Sequence, residues 1–359
     1  MKSLFTMKVA EDKADKRFVL IRDTKAGAPA RQLMDLIFST YTDEDKSFVQ
    51  EFQSKGFDAR TWELSLHAFL SEADLEQMPT KGLVDFLVCD GSETVAIEAV
   101  TSQPTGGVSL GEATSSIAGL APENINEGIA EFVHQFGKAL WAKVQKRNAK
   151  GQAYWELDAI VGRPFVVAVE AFHGTSSLFH SFGYAGEYLF GRSAAVAMTN
   201  GKLEITPMIL DVHEWNNKTI PSGVFDMDTY AHVSAVIFSN SSSTAQFGRI
   251  GLQENLGTGG VMIFRTGTCL RHDENADKPN LFGYEVGSAK APTEYFSQAI
   301  HVFHNPNAAI PLPEGFFGNA TEHFRLDSGH ILTTVRQDFV PVSSVTSIIQ
   351  IADIPKTNE

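Results

Sequence analysis

Two acidic residues stand where a sheet should be dry. The segments Lys81-Gly82-Leu83-Val84-Asp85-Phe86-Leu87-Val88 and Thr94-Val95-Ala96-Ile97-Glu98-Ala99-Val100-Thr101 are joined by Cys89-Asp90-Gly91-Ser92-Glu93. An Asp-Gly between two apolar runs predicts a β-hairpin. Side chains alternate along a strand, so Val84, Phe86 and Val88 share a wholly apolar face with Val95, Ile97 and Ala99. The other face carries Leu83, Leu87, Ala96 and Val100, and with them Asp85 and Glu98. A two-residue turn at Asp90-Gly91 sets Asp85 opposite Ala96, whereas a four-residue turn from Asp90 to Glu93 sets it opposite Glu98. In either register the acids share a face, with Cβ atoms roughly 5–8 Å apart. Such apolar runs suit strands covered on both sides, where two like charges are costly unless a cation or a shared proton compensates them. A hard cation, Mg²⁺ or Mn²⁺, fits: Mg²⁺ takes oxygen ligands at about 2.1 Å and keeps several waters. An ion pair with Lys81 or a helix lysine is the simpler alternative.

Two helices must position these acids. Thr61-Trp62-Glu63 opens the first, with Trp62, Leu66, Phe69 and Leu70 at helical spacing. It places Glu63 and His67 one turn apart, and Glu63 is the candidate third carboxylate of a cation site. The second runs from Asn126 to Asn148 and carries Gln135, Lys138, Lys143, Lys146 and Arg147, with Lys150 just beyond and no acid between Gln135 and Lys150. Lys143, Lys146, Arg147 and Lys150 share a face suited to phosphate contact, or to stabilising a helix carboxyl end. Lys138, a turn earlier, is the expected site residue.

Before the first helix, residues 1–60 read as a lead-in, with a strand at Phe18–Ile21, a helix from Ala30 to Phe38, and Asp43-Glu44-Asp45 opening a helix at Phe48. A short strand is expected at Leu75–Met78, a long loop at 102–126, and a strand at Pro164–Phe172. Beyond His173 the chain is strand-rich, with candidates at Leu203–Leu210, His232–Ser239, Gly260–Arg265, Ala299–Phe303 and Ile331–Val335. The expected division is therefore 1–60, a core over 61–172, and a strand-rich extension or second domain over 173–359.

The 359 residues are 43% hydrophobic and 20% charged, enough to bury a core and unlike a disordered chain or coiled coil. The net charge is −14, and both halves, cut after Lys150, are acidic. That disfavours a nonspecific nucleic-acid coat protein but leaves room for an enzyme with a local basic groove. No apolar run is long enough to span a membrane, and the amino-terminal residues do not read as a secretory signal. Two cysteines cannot build a disulfide framework, so a reducing cytoplasm is the expectation.

Helix, three strands, helix, strand, with acids at Glu63, Asp85 and Glu98, resembles the PD-(D/E)XK, restriction-endonuclease-like nuclease superfamily over residues 60–172. Trp155-Glu156, Pro164-Phe165-Val166-Val167, the stretch from Ser239 to Gly248 and His304-Asn305-Pro306-Asn307 also resemble an uncharacterised bacterial protein family. The superfamily resemblance implies an α/β (α+β) fold built on that core and a magnesium-dependent nuclease, acting on DNA or RNA, in a setting such as defence against foreign nucleic acid. It further implies metal binding by Asp85 and Glu98, with Glu63 as an outer or second-metal ligand. Two positions depart from the motif: Val84 replaces its proline and Val100 its lysine. Gln103, Lys138 or Lys143 is then expected to stand in for that lysine, Lys138 before the others. Nucleic acid, DNA before RNA, is the expected partner, a homodimer is compatible with the sequence, and no membrane is implied.

Other chemistries fit less well. If none of those three residues replaces the lysine, the fold is a binding module without catalysis. A zinc hydrolase would draw on His173, His180, His301, His304, His323 and His330, but no HExxH-like spacing is present, and His301 and His304 face opposite ways on one strand. There is no Gly-x-Ser-x-Gly elbow. Gly257-Thr258-Gly259-Gly260 lacks the Lys-Ser/Thr of a phosphate loop and reads as turn chemistry, and Ser239–Thr244 reads as a solvated loop.

Overall fold

A computed structural model describes residues 3–44, 46–102, 125–171, 180–273 and 275–351. Gln103, His173 and the loop over 103–124 lie outside them. The first elements are α1 (Lys16–Asp23), α2 (Ala28–Thr40), α3 (Phe48–Phe52) and α4 (Phe57–Glu72). Then come β1 (Glu76–Met78), β2 (Phe86–Cys89), β3 (Thr94–Ser102), α5 (Ile125–Gln145) and β4 (Phe165–Ala171). The remainder contains α6 (Phe182–Phe190), β5 (Arg192–Thr199), β6 (Lys202–Ile209), β7 (Val212–Trp215), β8 (Lys218–Pro221), β9 (Ala235–Ser239) and α7 (Thr244–Gln253). It ends with β10 (Val261–Cys269), β11 (Asn280–Glu285), β12 (His301–His304), β13 (Thr321–Arg325), β14 (Ile331–Thr334) and β15 (Pro341–Gln350).

Eight strands form one mixed sheet in the order β1-β2-β3-β4-β9-β12-β13-β14. The hairpin β2–β3 is antiparallel, while β3, β4 and β9 run parallel. Every residue of β4 is buried, as a strand covered on both faces requires. One face packs Ile97, Val166, Ala168, Ile237 and Val302 beneath α1 to α4 and α7. The other packs Ala96, Val167, Val169 and Phe238 against Phe132, Phe136 and Leu140 of α5 and Leu189 of α6. The strands after residue 172 thus extend the same sheet that holds the expected core. A second sheet, β11-β10-β15, and the hairpins β5–β6 and β7–β8 complete the strand-rich half. Among the described residues no helix is long and apolar enough to cross a membrane.

Several sequence expectations need correction. Phe18–Ile21 is helical, not extended: Asp15 Oδ1 caps the Arg17 N–H at 2.8 Å, and Phe18 and Ile21 are buried at helical spacing. The helix carrying Glu63 starts a turn before Thr61, at Phe57, and all ten residues from Thr61 to Leu70 are buried. It lies between sheet and outer helices, so it has no solvated face. The Ser239–Thr244 stretch is no solvated loop either. Ser239 and Ser242 are fully buried with hydroxyls 2.8 Å apart, and the chain then turns into α7, which was not expected. That helix lies close on α2, where a Cβ at Gly251 would come within 2.4 Å of the Pro29 carbonyl oxygen.

Two tests follow from this packing. Trp62 is fully buried and its Nε1 donates to the Ala168 carbonyl at 3.2 Å, joining α4 to the central strand. Trp62→Ala should cost about 3–5 kcal/mol in urea unfolding, and a near-zero loss would deny that anchoring. Glu170, opposite Ser239 in the β4–β9 register, is fully buried. Burial raises its pKa to about 8, with Ser239 and Ser242 pulling the other way. A raised folded pKa gives stability that is complete below the unfolded value and lost as pH rises through the folded one. Glu170→Gln should therefore gain in melting temperature over the parent between pH 6 and pH 9, and a pH-independent difference would refute it.

Candidate functional site

The hairpin turn decides the register. Asp90 Oδ1 accepts the backbone N–H groups of Ser92 and Glu93, both at 2.8 Å, and Gly91 takes a φ of +93° that favours glycine. Cys89 pairs with Thr94 and Phe86 with Ile97, which is the four-residue turn. One residue further, Asp85 stands opposite Glu98. Asp85 lies just before β2 and uses Oδ2 to accept the Ala99 N–H at 2.7 Å. Val84, outside the strand, turns to the α5 side of the sheet and away from the face expected for it.

Glu98 is buried on β3, and its Oε1 is crowded by donors. Lys143 Nζ of α5 donates to it at 2.7 Å, the Tyr154 hydroxyl at 2.5 Å, and Lys146 Nζ stands 3.7 Å away. Val100 packs into the apolar layer beneath α5, so an ammonium reaches this site from the helix and not from β3. The ammonium bonded to Glu98 is that of Lys143, whereas Lys138, the expected site residue, is exposed. The basic residues also divide differently from the expected single helix face, because α5 ends at Gln145. Lys146 lies exposed over the Tyr154 ring. Arg147 folds back onto the carbonyls of Val144 and Lys146, both at 2.9 Å, and so caps the helix end.

Asp85, Glu98 and Glu63 line one cavity of about 350 Å³, together with Tyr41, Arg60 and Lys146. Glu63 is not a free acid: its Oε2 takes the Arg60 guanidinium at 2.5 Å, and Arg60 also holds Glu51. Burial and then the Asp85 charge raise the Glu63 pKa to about 7, and burial and then the Glu98 charge raise that of Asp85 to about 6. Burial and Glu98 push the Tyr154 hydroxyl well above its ordinary value, keeping it a donor. His67 is satisfied between Thr40 Oγ1 at 2.9 Å and Gln77 Oε1 at 2.7 Å.

Among the described residues, no group of three or more His, Cys, Asp or Glu side chains is placed to hold a metal ion. The pairing of Asp85 and Glu98 is therefore a two-carboxylate arrangement with Glu63 beside it. The carboxyl-terminal histidines find other partners. His301 Nδ1 meets His323 Nε2 at 3.1 Å, and His304, on the opposite face, meets Glu322 at 2.9 Å. Burial lowers the His301 pKa to about 3. Sequence reasoning missed Arg60, Tyr41 and Tyr154. Arg60 had a signal, standing three residues before Glu63 on the same helix; the two tyrosines had none.

The Glu98–Lys143 pair is poorly exposed, at 5% and 18% of the side chain, so breaking one partner leaves an uncompensated charge. Lys143→Met should cost about 3 kcal/mol in unfolding measurements without divalent cations. Adding Glu98→Gln should recover most of that loss, and additive losses would show that the pair is not coupled. No protein-family model, curated protein or solved structure matches this chain.

Proposed function

We propose that this protein is a Mg²⁺- or Mn²⁺-dependent phosphodiesterase acting on nucleic acid, DNA before RNA, with α4 to β4 as a restriction-endonuclease-like core. The observation that carries this reading is the Lys143 ammonium delivered to Glu98 beside Asp85, which supplies from α5 the cation that Val100 does not. The donor set suits a hard ion. Asp85 is engaged through Oδ2 and Glu98 through Oε1, and the second oxygen of each accepts no hydrogen bond among the described residues. Such ions are held by one or two carboxylates plus substrate phosphate and water. Bound there, the ion would supply Lewis-acid neutralisation of phosphoryl charge and a more acidic water.

The protein's own groups would do the remaining work. Tyr154 and Lys143 hold the Glu98 carboxylate in place from two sides, which pre-orients it. Lys146, exposed at the cavity wall and only 3.7 Å from Glu98, would meet a substrate phosphate by swinging off that long contact. Glu63, clamped by Arg60, would be the outer acid.

A second reading, binding without cleavage, is favoured by the ion pairs themselves, since Arg60 and Lys143 already offset Glu63 and Glu98. Incubation of duplex and single-stranded DNA and RNA with Mg²⁺ or Mn²⁺ separates the two. The nuclease reading expects cleavage that is lost in Asp85→Ala and slowed by about a hundredfold or more in Lys143→Met. Retained binding with no cleavage of any substrate would favour the second reading.

A further inference from the structure

A second cavity, of about 430 Å³, is lined by Trp155, which follows Tyr154 in the chain, and by Glu156, Val161, Arg163, His232 and Ile310. Its wall is an aromatic stack. The Trp155 indole lies parallel to the His232 imidazole, with centroids 5.0 Å apart and planes at 13°, and the Arg147 guanidinium sits 5.5 Å from the indole centroid. Phe165 of β4 backs both Tyr154 and Trp155. Two consecutive residue pairs thus make two adjacent cation–aromatic contacts: Lys146 on Tyr154, close to the acids, and Arg147 on Trp155. His232 is exposed and Trp155 half-buried, so the stack reaches solvent.

We infer that this cavity receives an unpaired nucleobase of the substrate strand, stacked on the exposed His232 ring that Trp155 backs. The inference rests on the nucleic-acid reading above and narrows it to single-stranded or locally unpaired substrates. Aromatic side chains and guanidinium planes bind bases by their π-faces whatever the sequence, and a base inside a duplex cannot present that face. Arg163 supplies positive charge at the rim, and the exposed Glu156 supplies an acceptor for an exocyclic amino group.

The test uses the full chain carrying Asp85→Asn, which blocks cleavage, and follows the anisotropy of labelled short DNA and RNA strands and of a blunt duplex in Mg²⁺. The single strands should bind, and Trp155→Ala or His232→Ala should weaken that binding by roughly 5- to 150-fold, the range of one stacked base. Trp155→Phe should keep most of the affinity, and the blunt duplex should respond to none of these changes. Should Trp155→Ala unfold on melting analysis, the exposed His232→Ala carries the comparison. Variants that bind single strands as tightly as their parent overturn the inference alone, with the nuclease reading intact if the wild type cleaves. Absence of binding to any nucleic acid, with no cleavage by wild type, overturns both.

Discussion

A carboxylate on the covered face of a central strand must have its charge answered, and in this protein the answer to Glu98 crosses from another layer. Lys143 descends from α5 and Tyr154 from the segment that follows it, and both donate to the same oxygen. The pair fixes how α5 is rotated on the sheet, because Phe132, Phe136 and Leu140 must lie in the apolar layer while Lys143 reaches the acid. The opposite layer repeats the device: Arg60 of α4 answers Glu63 at the edge of the same cavity. Acid against cation, once from each helix layer, defines the site.

Local chemistry made the hairpin legible. Asp90-Gly91 marked the turn, alternation put both acids on one face, and the capping of Ser92 and Glu93 by Asp90 selected the register that sets Asp85 opposite Glu98. What defeated the same reasoning was tertiary context. Lys138 and Lys143 lie on the same basic helix, and only the seating of α5 on the sheet determines which of them points inward. Glu63 looked like a residue beside an apolar stripe; α4 is buried on all sides, a condition its own periodicity does not report. Tyr154 had no signal, since its role depends on a chain segment returning to β3.

The strand-rich half was harder still. Most of its expected strands are present, but α6 and α7 lie in a half read as strand-rich, where no helix was expected. Gly251 shows why: the small residue permits close approach to the Pro29 backbone, a contact between positions distant in sequence. Helix propensity there is overridden by packing.

Placing β9 directly against β4 has a consequence for synthesis. When β4 leaves the ribosome, one of its edges can pair with β3, but the other must wait for a strand encoded well downstream. Throughout that interval the unpaired edge of a strand that is apolar but for Glu170 is open to any neighbouring nascent chain, the condition under which intermolecular strand pairing begins. The carboxyl-terminal half is thus a built-in guard for the sheet that carries the acids.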